Sequence, residues 1–184
     1  MTTTIEIPGY ITGTWDIDPT HSDVSFTVRH LGVSKVRGHF ATFSGTIVTA
    51  ENPLDSSVTA TIEPASVDTR NEQRDGHLRS EDFLDVENHK ELTFHSTGVR
   101  ADGEAFKVDG ELSLRGVTKT VTLDLELNGF ADHPALEGAK VAGFSAATEI
   151  SRKDFGITGG QAGVMVGDKI TILLEIEASL RTDA

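Results

Sequence analysis

The sequence predicts an all-β protein: an extended antiparallel β-barrel of about eight strands, with one short helix across a side or end. Three observations predict it. Apolar and polar residues alternate with period two over long runs, the pattern of strands wet on one face and buried on the other. Turn-forming groups separate the runs at even intervals, among them Asn52-Pro53, Arg115-Gly116, Asn128-Gly129 and His133-Pro134. The chain has 184 residues, enough for one domain core and too few for two.

Taken in order, the first run is Val24, Phe26, Val28 and His30, facing opposite Ser25, Thr27 and Arg29. From Lys35 to Thr49 parity fails, because Phe40 and Phe43 cannot share a face of a straight strand. A bulge or bend near Ala41-Thr42 reconciles them, with Gly38 and Gly45 supplying flexibility. Val58, Ala60 and Ile62 form the next inward face. Asn71 to Arg79 reads as a helix, with Ser80 capping a further turn through Phe83. Its few apolar residues predict that it lies across the barrel. Phe106 to Leu114, Val121 to Leu127 and Ile170 to Leu180 complete the alternating runs. The inward faces place Gly38, Gly110, Gly143, Ala60, Ala147 and Ala178 among large side chains, which suits either a narrow cavity or a solid, tapered barrel. Residues 1–13 read as an N-terminal extension and 14–182 as the barrel domain.

Composition excludes several roles. Lys and Arg number 16 against 29 Asp and Glu, a net charge of −13, which disfavours both nucleic acid and polybasic docking on anionic lipid headgroups. The chain has no cysteine, so disulfides, thiolate metal sites and cysteine nucleophiles are absent. The N-terminal residues lack a signal-peptide pattern, and no run reaches the ~18 apolar residues of a membrane helix. The expectation is a cytoplasmic protein without stable membrane insertion.

Several blocks then identify a resemblance. They include Trp15-Asp-Ile-Asp18-Pro-Thr-His21-Ser22, Phe26-Thr-Val-Arg-His30-Leu-Gly32, Val36-Arg-Gly38-His-Phe40 and Ala65-Ser66-Val-Asp68-Thr69. The strongest is Arg74-Asp75-Gly-His77-Leu78-Arg-Ser-Glu-Asp82-Phe83-Leu-Asp85. Leu92-Thr-Phe94, Gly110-Glu-Leu112-Ser-Leu114-Arg-Gly116 and Ser151-Arg152-Lys153-Asp154-Phe155-Gly156 follow in order. The chain resembles the YceI-like family. Two positions depart from its pattern: Leu84 stands where a second Phe is usual, and no Pro precedes Leu92. The resemblance implies a lipocalin-like barrel that binds polyisoprenoids or similar long-chain lipids, and a homodimer.

The residues admit three readings. The first is a non-catalytic carrier or sequestering protein for a long apolar molecule such as a polyisoprenoid or prenyl quinone. Its tunnel wall is then Phe26, Val28, Phe40, Phe43, Phe83, Phe94, Leu112, Leu114, Leu123, Phe144 and Ile172, with His30 and Arg74 at the mouth, and neither cofactor nor metal is required. His30 otherwise pairs with a carboxylate or a backbone carbonyl, and Arg74 pins the helix by ion pairing. The second reading is a stress-related interaction protein with a packed barrel, offering the segment from Lys35 to Thr49 as an edge. The third, an enzyme, finds no frame: Gly-x-Ser-x-Gly and His-Glu-x-x-His are missing, and Gly159-Gly160-Gln-Ala-Gly163 lacks the Gly-Lys-Ser/Thr of a phosphate loop. The Arg152–Gly156 turn reads as a structural ion pair with an aromatic plug.

Overall fold

The computed structural model describes residues 5–182. Eleven strands form one sheet, and every pairing is antiparallel. Six of them are halves of longer, interrupted strands. β1 (Gly13–Ile17) and β2 (Asp23–His30) run end to end along β11 (Val166–Leu180). β3 (Ser34–Phe40) and β4 (Phe43–Thr49) pair with β2 and β1 in turn, and β5 (Ser57–Ile62) and β6 (Val67–Asp68) pair with β4 and β3. β7 (Leu92–Asp102), β8 (Ala105–Leu114), β9 (Val117–Asp132) and β10 (Lys140–Ser151) continue the meander to β11. The result is a closed, eight-stranded up-and-down barrel.

Local chemistry explains the joints. Arg115 and Gly116 both adopt positive φ, 52° and 73°, the turn that matches the twist of a tight hairpin between β8 and β9. The expected break falls at Ala41-Thr42, between β3 and β4, and it lets Phe40 and Phe43 both face inward. Gly38 and Gly45 serve a different purpose from the one predicted. A methyl at position 38 would stand 2.7 Å from Phe26 Cε1, and one at position 45 would stand 2.6 Å from Ile17 Cδ1. These glycines seat neighbouring side chains. Gly110 does the same for the ring of Phe94, whose Cε2 would lie 2.6 Å from an added methyl.

Two predicted inward positions face outward. Gly143 and Ala147 lie opposite Glu177 and Leu173 on β11, while Phe144 and Ala146 point into the barrel. The run from Val141 to Ala147 is mostly small residues, so its composition carries no parity signal; only contact with β9 and β11 sets it.

The barrel has a seam. β6 pairs with β3 but, among the described residues, has no neighbour on its other side, because β5 alone reaches β7. Helix α1 (Glu72–Arg79) and the turn after it cover this gap with Leu78, Phe83 and Leu84. Asn71 caps α1 by accepting the Arg74 N–H at 2.9 Å. Ser80 closes the helix rather than only opening the next turn, though its carbonyl does accept the Phe83 N–H at 3.0 Å. The buried Asp75 carboxylate accepts both the N–H (2.9 Å) and the hydroxyl (2.5 Å) of Thr69, tying α1 to the end of β6.

The far end of the barrel closes around Trp15, which is fully buried among Ala142, Phe144 and Ala178. Its indole N–H donates to Thr49 Oγ1 at 2.9 Å, and that hydroxyl donates to the carbonyl of Ile11. Among the described residues no helix is long and apolar enough to cross a membrane.

Candidate ligand-binding cavity

The barrel encloses a cavity of about 290 Å³, at the lower edge of the ~300–1,000 Å³ typical of ligand sites. Its walls are almost wholly apolar. Eight of the nine phenylalanines line it; the ninth, Phe155, is buried in the adjoining core. Lining positions on β11 run from Val166 through Ile170, Ile172 and Leu174 to Ile176. At ~3.3 Å per residue those ten steps cover roughly 30 Å of strand, so the hollow is elongated. A barrel packed solid through its centre, the second reading above, does not match this interior.

All eleven apolar positions singled out from the alternation and the resemblance lie on this wall. β2 contributes Phe26 and Val28, β3 Phe40 and β4 Phe43. Phe94 comes from β7, Leu112 and Leu114 from β8, Leu123 from β9, Phe144 from β10 and Ile172 from β11. Phe83 enters from the turn after α1. Phe26 and Phe40 touch each other, their ring centroids 5.5 Å apart.

The two residues expected at the mouth are elsewhere. Arg74 is exposed, and its Nε and Nη2 donate to the hydroxyl and carbonyl of Thr69, both at 2.7 Å. It does pin α1, but through hydrogen bonds to a threonine rather than an ion pair. His30 is half-buried at the end of β2, opposite Val166; its side chain is not part of the cavity wall.

Sequence reasoning missed the groups that do shape the ends. Ile7 and Tyr10, assigned to an extension, line the cavity. The Tyr10 hydroxyl donates to the Ala50 carbonyl at 2.6 Å, and its ring meets Phe130 edge-on. At the other end stands Arg152, only 2% exposed and, among the described residues, the one charged residue on the wall. Among the described residues it forms no ion pair. Its five N–H groups donate to the carbonyls of Gly167, Ile157, Thr158, Gly163 and Val166 at 2.8–3.0 Å. That network binds the loop from Ile157 to Val166 across the barrel end, so the predicted ion pair of this turn is a carbonyl cage instead.

Beside the seam, a second recess of about 460 Å³ shares Phe43, Ser44 and Ile62 with the cavity wall. Glu63, Lys90 and Glu91 line its outer part. This is where the apolar interior meets polar surface. One group of potential metal-ligating side chains also comes together among the described residues, Asp18, His21 and Glu177. His21 Nδ1 lies 2.7 Å from Asp18 Oδ2, at the outer kink between β1 and β2. The Asp18 carboxylate raises the imidazole above its ordinary value, and His21 holds Asp18 below the usual carboxylate range.

Comparison with known proteins agrees with this geometry. The family model of the YceI-like domain matches residues 15–178. Protein YceI of Escherichia coli O157:H7 is 45% identical over 143 residues, covering 77% of this chain and 74% of that one. The crystal structure of Burkholderia cenocepacia BcnA superposes with a TM-score of 0.76 at 23% identity, over 88% of this chain and 98% of its own. A polyisoprenoid binding domain from Saccharophagus degradans superposes with a TM-score of 0.68 at 16% identity, over 93% and 100%. These two structures share the barrel.

Proposed function

The chain belongs to the YceI-like domain family, and from that premise we propose that it holds one long apolar molecule, of polyisoprenoid or prenyl-quinone type, as a non-catalytic carrier. The observation that carries the reading is the elongated cavity whose wall is apolar from Tyr10 at one end to Ile157 at the other. The polyisoprenoid binding domain among its structural neighbours supports the class of cargo. Each methylene moved from water onto this wall contributes about 0.8 kcal/mol, so a tail binds tightly without polar contacts. A cavity of about 290 Å³ holds on the order of ten groups of the ~30 Å³ that a water occupies. Longer tails require the rings of Phe26 and Phe40 to turn, or the cover formed by α1 and Phe83 to shift. The polar head then lies in the recess lined by Glu63, Lys90 and Glu91. A neutral or singly charged head suits a chain of net charge −13. The proposal includes a homodimer, which light scattering tests.

Titration with isoprenoid alcohols of increasing length, followed by isothermal titration calorimetry, tests the cargo class. Affinity is expected to rise with each added unit and then level off once the cavity is full. Absence of uptake at every length would rule the carrier out.

A further inference from the structure

We propose that the tip built from the β2–β3 hairpin and the loop before β11 docks on an anionic lipid surface. The inference deepens the carrier reading by naming the source from which cargo is loaded, but its geometry stands independently of any cargo.

Among the described residues, four of the seven exposed large apolar side chains gather here: Leu31, Val33, Val164 and Met165. Val33 is 84% exposed and Val164 92%. The Leu31 N–H donates to the Met165 carbonyl at 2.8 Å, which joins hairpin and loop into one tip. Leu31 also has a φ of 53°, a left-handed conformation that is strained for leucine and that glycine or asparagine adopts readily. A bulky apolar residue is therefore held outward at a position where folding alone favours a small or polar one.

Directly behind the tip the surface is cationic. Arg29, Lys35 and Arg37 are exposed on the outer face of the hairpin, and Arg29 lies directly across the ladder from Lys35. Like charges so placed repel. Among the described residues none of the three is ion-paired, and the sequence has no carboxylate between Asp23 and Glu51. In a chain of net charge −13 this is a local reversal of sign. Apolar side chains at the extremity with a collar of unpaired cations fit the boundary between acyl chains and anionic headgroups. A second copy of the same tip would set cation against cation. The acidic side of this barrel end lies around α1 and Asp82, across the loop from the hairpin, since the Gly159 N–H donates to the Asp82 carbonyl. Contact therefore tilts the molecule onto its hairpin side. Val28 and Val166, one strand step behind the tip, belong to the cavity wall, so docking sets the cavity end against the membrane.

The test is co-sedimentation with vesicles of phosphatidylcholine and of mixed phosphatidylcholine–phosphatidylglycerol. The wild-type chain is expected to bind the mixed vesicles at least tenfold more tightly, with binding weakened by salt. The variant Arg29→Gln/Lys35→Gln/Arg37→Gln should lose roughly fivefold per cation. The variant Val33→Asp/Val164→Asp should abolish binding while melting like the wild type. Wild type that ignores both vesicle types, or variants that bind as it does, would overturn the proposal. So would tip variants that change the oligomer in light scattering and leave vesicle binding intact. Cargo uptake from a detergent dispersion is measured in parallel. Uptake without vesicle binding refutes docking alone, whereas vesicle binding without uptake supports docking and refutes the carrier.

Discussion

Phe26 rests over Gly38, its ladder partner on β3, so closely that any side chain at position 38 would displace the ring. The same added methyl would stand 2.9 Å from Thr69 Cγ2, and Thr69 is the residue to which both Arg74 and Asp75 bind. One glycine thus governs a cavity ring and the anchor of the helix that covers the seam.

Gly38→Ala is expected to destabilise the barrel by about 1–3 kcal/mol, the usual range for forcing a methyl into a packed site. Phe26→Leu in the same chain should return most of that loss. Urea unfolding of the two single variants and the double variant measures the coupling. Additive effects would mean that ring and glycine are independent.

Arg152→Met removes five hydrogen bonds and leaves five carbonyls to find new partners. The expected loss is at least about 3 kcal/mol, because breaking a buried charged network strands its remaining members. Hydrogen exchange should speed most between Ile157 and Val166. Unchanged exchange there would show that the loop is held by something else.

Asp75 and Arg74 are adjacent in sequence and differ in burial, and their variants should separate. Asp75→Ala leaves the N–H and hydroxyl of Thr69 unmet and is expected to cost about 1–3 kcal/mol. Arg74→Ala removes two part-buried bonds to Thr69, away from the cavity wall, and should leave cargo affinity within twofold. A large loss of affinity in Arg74→Ala would restore it to the mouth of the cavity.

The outer pair of Asp18 and His21 sets a pH dependence. His21 titrates above its ordinary 6.5 because Asp18 bonds and attracts it, so its contribution to folding is complete below about pH 6.5 and is lost as pH rises through the folded value. Asp18 titrates below its ordinary 3.8, so its contribution is present above that value and is lost as pH falls through the folded one. The pair therefore favours the folded state most between these limits. Nuclear magnetic resonance of the histidine ring protons should find His21 above 6.5 and should find it lowered in Asp18→Asn. A His21 that titrates at or below 6.5 in the wild type would contradict the pairing.

The barrel and most of its wall were legible in the sequence for one reason. Alternation over a whole strand is a local record of which side meets water, and Phe26, Leu112 and Ile172 announce their face through their neighbours. What failed to show was whatever depends on a distant partner. The Arg152 turn is rich in charge and reads as an ion pair, yet its acceptors are carbonyls brought round by the following loop. Arg74 sits beside promising polar residues, but its Nε and Nη2 both donate to Thr69. Ile7 and Tyr10 precede the first strand and look dispensable until the chain is seen folding back over the barrel end. Small residues mislead for a related reason. Gly38 and Gly110 mark where an aromatic ring lies rather than where space is left empty.

The most direct measurement is native mass spectrometry of the purified full chain, followed by organic extraction of whatever it carries. The account predicts a mass excess that disappears on extraction and reappears when a prenyl quinone is added back. Bulk introduced at the centre of the wall by Ala146→Trp should block that reloading without unfolding the barrel. A chain that is free of ligand as isolated, and that takes up no prenyl quinone afterwards, would contradict it.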